Sequence, residues 1–306
     1  MTAQPETSGS ASITEETPEA PRISVIIPVH NAEDTIADQL EALARQDFAD
    51  PWEVIVADNG SSDGSLAVAR RFSDRLPLRC IDASQVRGVA HARNVAARVA
   101  CAPLLAWVDA DDEVAPGWLE AVVTALAEHT VVASRFDKER LNTPELQATR
   151  SLPQQHGLSQ HNYAPFLPHV GGSGLAIRKS VHDAVGGFDE TLLRLADTDY
   201  SWRVQLAGHA IHFEPSAVLH VRFRQGGGAS FRQAYLYGRF NGRLYHRYRS
   251  HGMQRVPLWR DLHSIAAQLV HLPRSAKGAQ REQRLRSLLN RIGILIGRIE
   301  SLWLRP

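Results

Sequence analysis

The sequence predicts an α/β fold, with a mainly parallel central sheet, helices on both of its faces and a basic helical C-terminal extension. Two observations set this class. Short β-rich runs alternate with helical patterns four times between residues 23 and 129, the order that βαβ units produce. The strands are almost continuously apolar, as in "ISVIIPV" and "PLLAWVD", which fits strands covered on both sides. A third observation gives the sheet a working edge. Polar residues collect where strands end, in "PVHN", "ADNGSSDG" and "DADD", and open α/β sheets bind ligands at the carboxyl ends of their strands.

The elements follow in order. "ISVIIPV" (23–29) is a strand, and "TIADQLEALARQ" (35–46) has apolar residues at helical spacing. "WEVIVAD" (52–58) and "SLAVARRF" (65–72) repeat the pair, as do "LRCIDA" (78–83) with "GVAHARNVAARVA" (88–100), and "PLLAWVD" (103–109) with "GWLEAVVTALAEH" (117–129). After "VVASRF" (131–136) a polar loop runs to about residue 165, and loops of that length are usually functional or mobile. "SGLAIRK" (173–179) reads as a strand, "DTDYSWRVQLAG" (197–208) as a helix, and "AIHFEP" with "AVLHVRF" (210–215, 217–223) as two more strands. Beyond Gly228 the pattern is helical to the end. The expected organisation is a disordered acidic leader (1–21), an α/β domain (22–228) with two parts (22–136 and 137–228), and a helical basic extension (229–306).

Bulk composition narrows the class. At 306 residues, 43% hydrophobic and 22% charged, the chain reads as an ordinary globular protein with ample core. Cys80 and Cys101 follow no metal or redox spacing, which suggests core thiols in a reducing compartment. The first residues have no basic and apolar leader pattern, and no apolar run nears the ~20 residues that span a bilayer. A cytoplasmic protein is expected, attached at most peripherally to the inner face of the membrane. Glu6, Glu15, Glu16 and Glu19 stand without Lys or Arg in the first 20 residues, among Ser, Thr and Pro, a composition that cannot pay for order.

The stretch "LLAWVDADDEV" (104–114) carries the chemistry. Three carboxylates at one strand end repel one another and raise one another's pKa unless something positive sits among them. A solvated turn, a metal site and a helix N-terminus are the three explanations. Residues two apart on a strand point the same way, so Asp109 and Asp111 can converge on one ion. Asp112 fits better as a cap for the helix beginning near Pro116. "DNGSSDG" reads as an Asx-rich turn with Asp63 capping the next helix.

Taken together, "SVIIPVHNAED", "VIVADNGSSDGS", "RGVAHARNVA", "WVDADD", "GGSGLAIRKSVHDAVGGFDE", "ADTDYSWRVQLAG" and "VLHVRFR" resemble glycosyltransferase family 2 on the nucleotide-sugar-binding GT-A fold. Each piece is weak alone; seven in the family's order, over about residues 22–240, are specific. The resemblance implies an inverting transferase that moves a sugar from a nucleoside diphosphate (a UDP-, GDP- or dTDP-sugar) to a glycan or lipid-linked acceptor hydroxyl. It makes 22–228 a catalytic domain with a nucleotide-binding half (22–136) and an acceptor half (137–228), and Asp111 a ligand of Mg²⁺ or Mn²⁺, with Asp109 on the ribose or sharing the metal. Asp58 then meets the base, with Pro28, His30, Asn31, Glu33 and Asn59 around the nucleoside. Arg87 and Arg93 are diphosphate contacts at a helix N-terminus that itself favours anions, whereas Arg98 reads as a solvated face. The family's base aligns with Asp197; Ala196 stands where an acid is usual, and Asp199 is the substitute. Helix capping is the plain alternative for both. His220 is either a core residue of its strand or, by resemblance, a further metal ligand. His91, His161, His169 and His212 receive no role.

Residues 231–306 hold fifteen Lys plus Arg against Asp261, Glu282 and Glu300. "FRQAYLYGRFNGRLYHRYRSHG" (231–252) interleaves aromatics with arginines. "REQRLRSLLNRIGILIGRIESLWLR" (281–305) gathers Leu285, Leu288, Leu289, Ile292, Leu295, Ile296, Ile299, Leu302 and Trp303 on one side, with arginines on the other. Such a helix fits an anionic membrane surface, or it packs on the catalytic domain. No nucleic-acid motif accompanies the basic residues. Two rivals stand beside the transferase. One is a catalytically silent nucleotide-sugar-binding or scaffold protein, which Ala196 favours. The other is a nucleotidyltransferase, which "PVHNAED" opposes by lacking a Gly-rich phosphate loop.

Overall fold

The computed structural model describes residues 19–149, 151–160, 166–223, 231–271 and 279–303. Most of the expected leader, His161 and the expected boundary at Gly228 lie outside the described residues. Eight strands form one sheet in the order β3-β2-β1-β4-β7-β6-β8-β5. They are β1 Ile23–Val29, β2 Trp52–Asp58, β3 Leu78–Asp82, β4 Leu104–Trp107, β5 Glu113–Val114, β6 Val131–Asp137, β7 Leu175–Arg178 and β8 Ile211–His220. The first four are mutually parallel, with Val29 level with Asp58 and Asp58 level with Asp82. β7 runs antiparallel to both β4 and β6, and β6 is again parallel to β8. β1 and β2 are buried almost throughout, whereas edge strand β3 is half-buried.

Period-two alternation sends successive strand residues to opposite faces, and each face has its own core. Val25 and Ile27 pack with Ile36, Leu40 and Leu43 of α1 (Ile36–Ala44), Ala69 of α2 (Ser65–Arg70) and Trp118, Val122 and Leu126 of α4 (Trp118–Glu128). Ile26, Leu105 and Trp107 pack with Ala92 and Ala96 of α3 (Val89–Val99). Short helices α5 (Pro144–Thr149) and α6 (Lys179–Ala184) precede α7 (Ala196–Leu206), whose Tyr200 and Trp202 join that second core. So do Phe240, Leu244 and Tyr248 of α8 (Phe231–Tyr248), the first helix of the basic extension. That helix therefore shares the sheet's core. α9 (Leu258–His271) and α10 (Ala279–Trp303) complete the chain.

Three readings change. The two strands expected at 210–223 are one strand, because the pairing with β6 slips between Ser134 and Arg135 and absorbs Pro215 in a bulge. Asp112 does not cap α4, whose N-cap is Gly117 in the left-handed region, and β5 pairs with β8 instead. The long polar loop contains α5, and a further helix, α6, follows β7 directly.

Candidate active site

The carboxyl ends of β1, β2 and β4 lie side by side, because the three strands are adjacent and parallel. The loops leaving them are laced together. Asp58, 8% exposed, ends β2 and accepts the Ser61 N–H at 3.1 Å. Asn59 donates to the carbonyls of Ala83 and Val86, and accepts the Gly88 N–H at 2.7 Å. It thus fixes the turn that launches α3. Asn31 adopts φ 51° and accepts the Ser62 N–H at 2.8 Å. Glu33 accepts the Gly64 N–H at 2.9 Å, and a Cβ at Gly64 would sit 2.5 Å from its Oε1. Asp63 accepts the Ser65 N–H at the start of α2 and the Glu33 N–H at 3.1 Å. Pro28 lies buried within β1, while His30 and Asn31 just beyond it are exposed.

Asp109, Asp111 and Asp112 each offer a carboxylate oxygen within 4.8 Å of the others'. Positive and polar groups hold this cluster together. Arg93, almost fully buried, donates to Asp109 Oδ1 at 2.7 Å and lies over the Phe188 ring. Arg93 reaches that position only because residue 172 is glycine; a Cβ there would overlap the guanidinium. Ser173 Oγ accepts the Asp109 N–H at 2.9 Å and donates to Asp112 Oδ2 at 2.8 Å. Arg222, just past β8, donates its backbone N–H to Asp112 Oδ1 and its side chain to the Asp111 carbonyl and to Asp38. Burial, reinforced by the charges of Asp109 and Asp111, holds the Asp112 carboxyl well above the usual carboxylate range. Asp112 thus has both oxygens in use, and Asp109 and Asp111 remain the more accessible pair. An all-oxygen donor set suits a hard cation such as Mg²⁺ or Mn²⁺, so these residues fit that ion.

The other expected residues divide. His220 pairs with Asp137 at 2.6 Å and lies outside the three-carboxylate group. Arg87 is exposed in the loop before α3, whereas Arg93 is turned beneath Asp109, and Arg98 is exposed as read. Asp199 is fully buried and accepts from Arg203 Nε (2.8 Å), Arg247 Nη1 (2.6 Å) and Tyr248 Oη (2.7 Å). Its carboxylate ties α7 to α8. Asp197 sits at the opening of α7, partly exposed, with Oδ1 accepting the Thr198 N–H. The N-cap of α7 is Leu195, in the left-handed region at φ 63°, and it makes no side-chain cap. A bulky residue held there stores strain of the kind that clusters at functional sites.

One segment connects Asp197 with the acidic cluster. In "VGGSG" (170–174), the Val170 N–H donates to Ser201 Oγ, which itself donates to the Asp197 carbonyl; three residues on, Ser173 grips Asp109 and Asp112. Sequence reasoning assigned no role to Ser173, Gly172, Arg222, His91 or Asn94. Asn94 donates to Glu190 and the Phe188 carbonyl, and His91 meets Glu190 at 2.7 Å, so both clamp the "GGFDE" loop ahead of Asp197. Three glycines packed around one serine were the available signal, since such runs mark close backbone approach.

Known proteins share parts of this sequence and its fold. The family model described as Glycosyl transferase family 2 matches residues 24–186. Among curated proteins, "Glycosyltransferase AglE" of Haloferax volcanii is 29% identical over 203 residues, 63% of this chain and 64% of that one. An Escherichia coli protein, "UDP-Glc:alpha-D-GlcNAc-diphosphoundecaprenol beta-1,3-glucosyltransferase WfgD", is 28% identical over 44% of this chain and 52% of its own. A Streptomyces hygroscopicus validoxylamine A glucosyltransferase is 38% identical over 36% of this chain and 25% of its own. The first relatives are thus matched over about a quarter to under two thirds of their length. Among solved structures, a mannosyltransferase from Pyrobaculum calidifontis, in complex with GDP-Man and Mn²⁺, superposes with TM-score 0.64 at 19% identity, covering 94% of this chain and 88% of that one. S. aureus TarS 1–349 with UDP-GlcNAc gives TM-score 0.53 at 20% identity, covering 92% and 90%. The fold is GT-A.

Proposed function

The chain belongs to glycosyltransferase family 2, and we propose that it transfers a sugar, with inversion, from a nucleoside diphosphate to a glycan or lipid-linked acceptor hydroxyl. The observation that carries this is the convergence of Asp109, Asp111 and Asp112 within 4.8 Å beside the ends of parallel strands. Asp111 and Asp109 would hold Mg²⁺ or Mn²⁺, which supplies charge neutralisation to the departing diphosphate. Asp58, with Pro28, His30, Asn31, Glu33 and Asn59, surrounds the nucleoside of a UDP-, GDP- or dTDP-sugar, and exposed Arg87 meets the diphosphate. Arg93 acts on Asp109 by holding its carboxylate in place. A relative named for glucosyl transfer to an undecaprenol-linked acceptor, and solved proteins holding GDP-Man or UDP-GlcNAc, support this donor and acceptor class.

The reaction is a single displacement. The acceptor hydroxyl oxygen attacks the anomeric carbon from the side opposite the diphosphate, the carbon–oxygen bond to the diphosphate breaks, and Asp197 takes the hydroxyl proton. Its partial exposure supports that role, while Asp199, sealed by three donors, is withdrawn from it. His220 remains the weaker ligand candidate because Asp137 occupies it. The division at 22–228 and 229–306, cytoplasmic action at the inner membrane face and contact of 281–305 with an anionic surface complete the reading. Cys80 is half-buried and Cys101 exposed, so the two free thiols are not the core residues expected from the sequence, and no helix among the described residues is long and apolar enough to cross a membrane.

The test measures nucleoside diphosphate release from each donor in the presence of Mn²⁺ and extracted lipid-linked acceptors. Asp197→Asn should lose ~10²–10⁴ in rate, the usual contribution of a general base, with nucleotide affinity near wild type. Asp199→Asn should instead lose stability, by about 3–5 kcal/mol, because two arginines are left without their buried counter-charge. A folded, active Asp197→Asn beside a folded, inactive Asp199→Asn would move the base to 199. A folded wild type that binds donors and turns none over would favour the silent binding protein.

A further inference from the structure

Helix α9 is amphipathic in the reverse sense for a helix in water. Trp259, Leu262, Ala266, Leu269 and Val270 recur at helical spacing and fall within about 100° of arc. That stripe faces outward, with Trp259 61%, Leu262 56%, Leu269 50% and Val270 59% exposed. The opposite, polar side faces α10. Arg298 Nη1 bonds both Asp261 oxygens, at 2.8 and 2.7 Å. Ser264, Ala267 and Gln268 join Arg284, Ser287 and Arg291 around a groove of about 580 Å³ between the two helices. A surface helix ordinarily buries its apolar stripe and shows water its polar face. Four large apolar side chains on one exposed face mark an interaction site.

The charge around the stripe identifies the occupant. Arg260 lies 5.5 Å over the Trp259 ring, and Arg284 and Arg291 line the adjoining groove. Asp261 is engaged by Arg298, and Glu300 by Arg239 and Tyr235. An apolar strip with a tryptophan, bordered by arginines, matches the boundary between lipid headgroups and acyl chains. A second copy of the chain would set like arginine rims against each other across a two-fold axis.

We propose that α9 is the element that enters an anionic membrane surface, inserting Trp259, Leu262, Leu269 and Val270, while Arg284 and Arg291 in the α9–α10 groove hold lipid phosphates. This rests on the membrane contact proposed above and moves its inserted part from 281–305 to α9. Guanidinium groups suit the phosphate role because their donors match phosphate oxygens in pairs.

The full-length protein is mixed with phosphatidylcholine vesicles, with and without phosphatidylglycerol. Co-sedimentation and quenching of tryptophan emission by bromine-labelled acyl chains are recorded. Wild type should bind the anionic vesicles and be quenched. Trp259→Phe should bind but lose most of the quenching. The double change Trp259→Ser with Leu262→Ser should lower vesicle partition at least ~tenfold, since each buried methylene contributes. Arg284→Gln with Arg291→Gln should remove the preference for anionic lipid, and nucleotide affinity should stay at wild type in every variant. If Leu285→Ser with Leu289→Ser abolishes binding and the α9 pair does not, contact by 281–305 stands and insertion of α9 is refuted. If wild type binds no vesicle, both fail, and the transferase reading is untouched. Sedimentation equilibrium showing a dimer broken by the α9 pair would assign the stripe to a second copy and overturn the proposal.

Discussion

His182 shows how one side chain records its surroundings. It is packed among Trp107, Phe188 and Tyr200, with Nδ1 2.8 Å from the Tyr200 hydroxyl. Burial pulls its pKa down to about 4, so the folded protein holds it neutral. The unfolded chain binds a proton there near pH 6.5. With the folded pKa depressed, the stabilising contribution is fully present above about pH 6.5 and is lost as pH falls toward 4. Denaturant titrations at pH 7.5 and 5 should therefore show lower stability at pH 5, and His182→Phe should flatten that difference. An unchanged slope in His182→Phe would place the pH sensitivity elsewhere. Single residues at strand ends were also what the sequence exposed best. Asp58, Asp109 and Asp111 stood out because a carboxylate ending an apolar strand needs a reason. Their partners did not, since Arg222 lies 110 residues from the Asp112 it binds, and Arg247 lies 48 from Asp199. No local pattern encodes such a pairing.

At the scale of elements, the strands and long helices were legible through period and apolar content, while their joints were not. β8 looked like two strands because Pro215 and Ser216 read as a break, whereas pairing with β6 carries the strand across a bulge. The α8–α10 crossing is a similar case. Gly238 and Gly242 on α8, and Gly293 and Gly297 on α10, are each four apart and let the helices approach closely. A Cβ at Gly238 would overlap the Ile294 carbonyl, and one at Gly297 the Tyr235 carbonyl. Close approach through paired small residues needs no apolar seam, so hydrophobic spacing missed this crossing; of the apolar side it marked in "REQRLRSLLNRIGILIGRIESLWLR", Leu288 and Leu295 are buried while Leu285, Leu289, Ile296 and Ile299 are exposed. Gly238→Ala weighs two effects. Helix propensity favours alanine by about 1 kcal/mol, and overpacking against backbone costs about 1–3 kcal/mol. Because a carbonyl in a packed helix yields less than a side chain tip, Gly238→Ala should lower the thermal midpoint by a few degrees. A midpoint at or above wild type would mean that the crossing tolerates the methyl.

At the scale of the molecule, adjacency in the sheet explains why the site is where it is. Parallel β1, β2 and β4 deliver Asp58 and the Asp109–Asp112 run to one edge, and "VGGSG" before β7 joins that edge to Asp197 on α7. The basic extension divides in use: α8 closes the core through Phe240, Leu244 and Tyr248, while α9 faces outward. The central claim is that the acidic cluster works through a cation, and calorimetric titration of nucleoside diphosphate tests it most directly. Wild type with Mn²⁺ should bind at least ~tenfold more tightly than wild type with chelator, because carboxylates and phosphates share the ion. Asp111→Asn with Mn²⁺ should match the chelated wild type. Equal affinity with and without metal, in a folded wild type, would contradict the account and leave Asp109, Asp111 and Asp112 as a turn held by Arg93, Ser173 and Arg222.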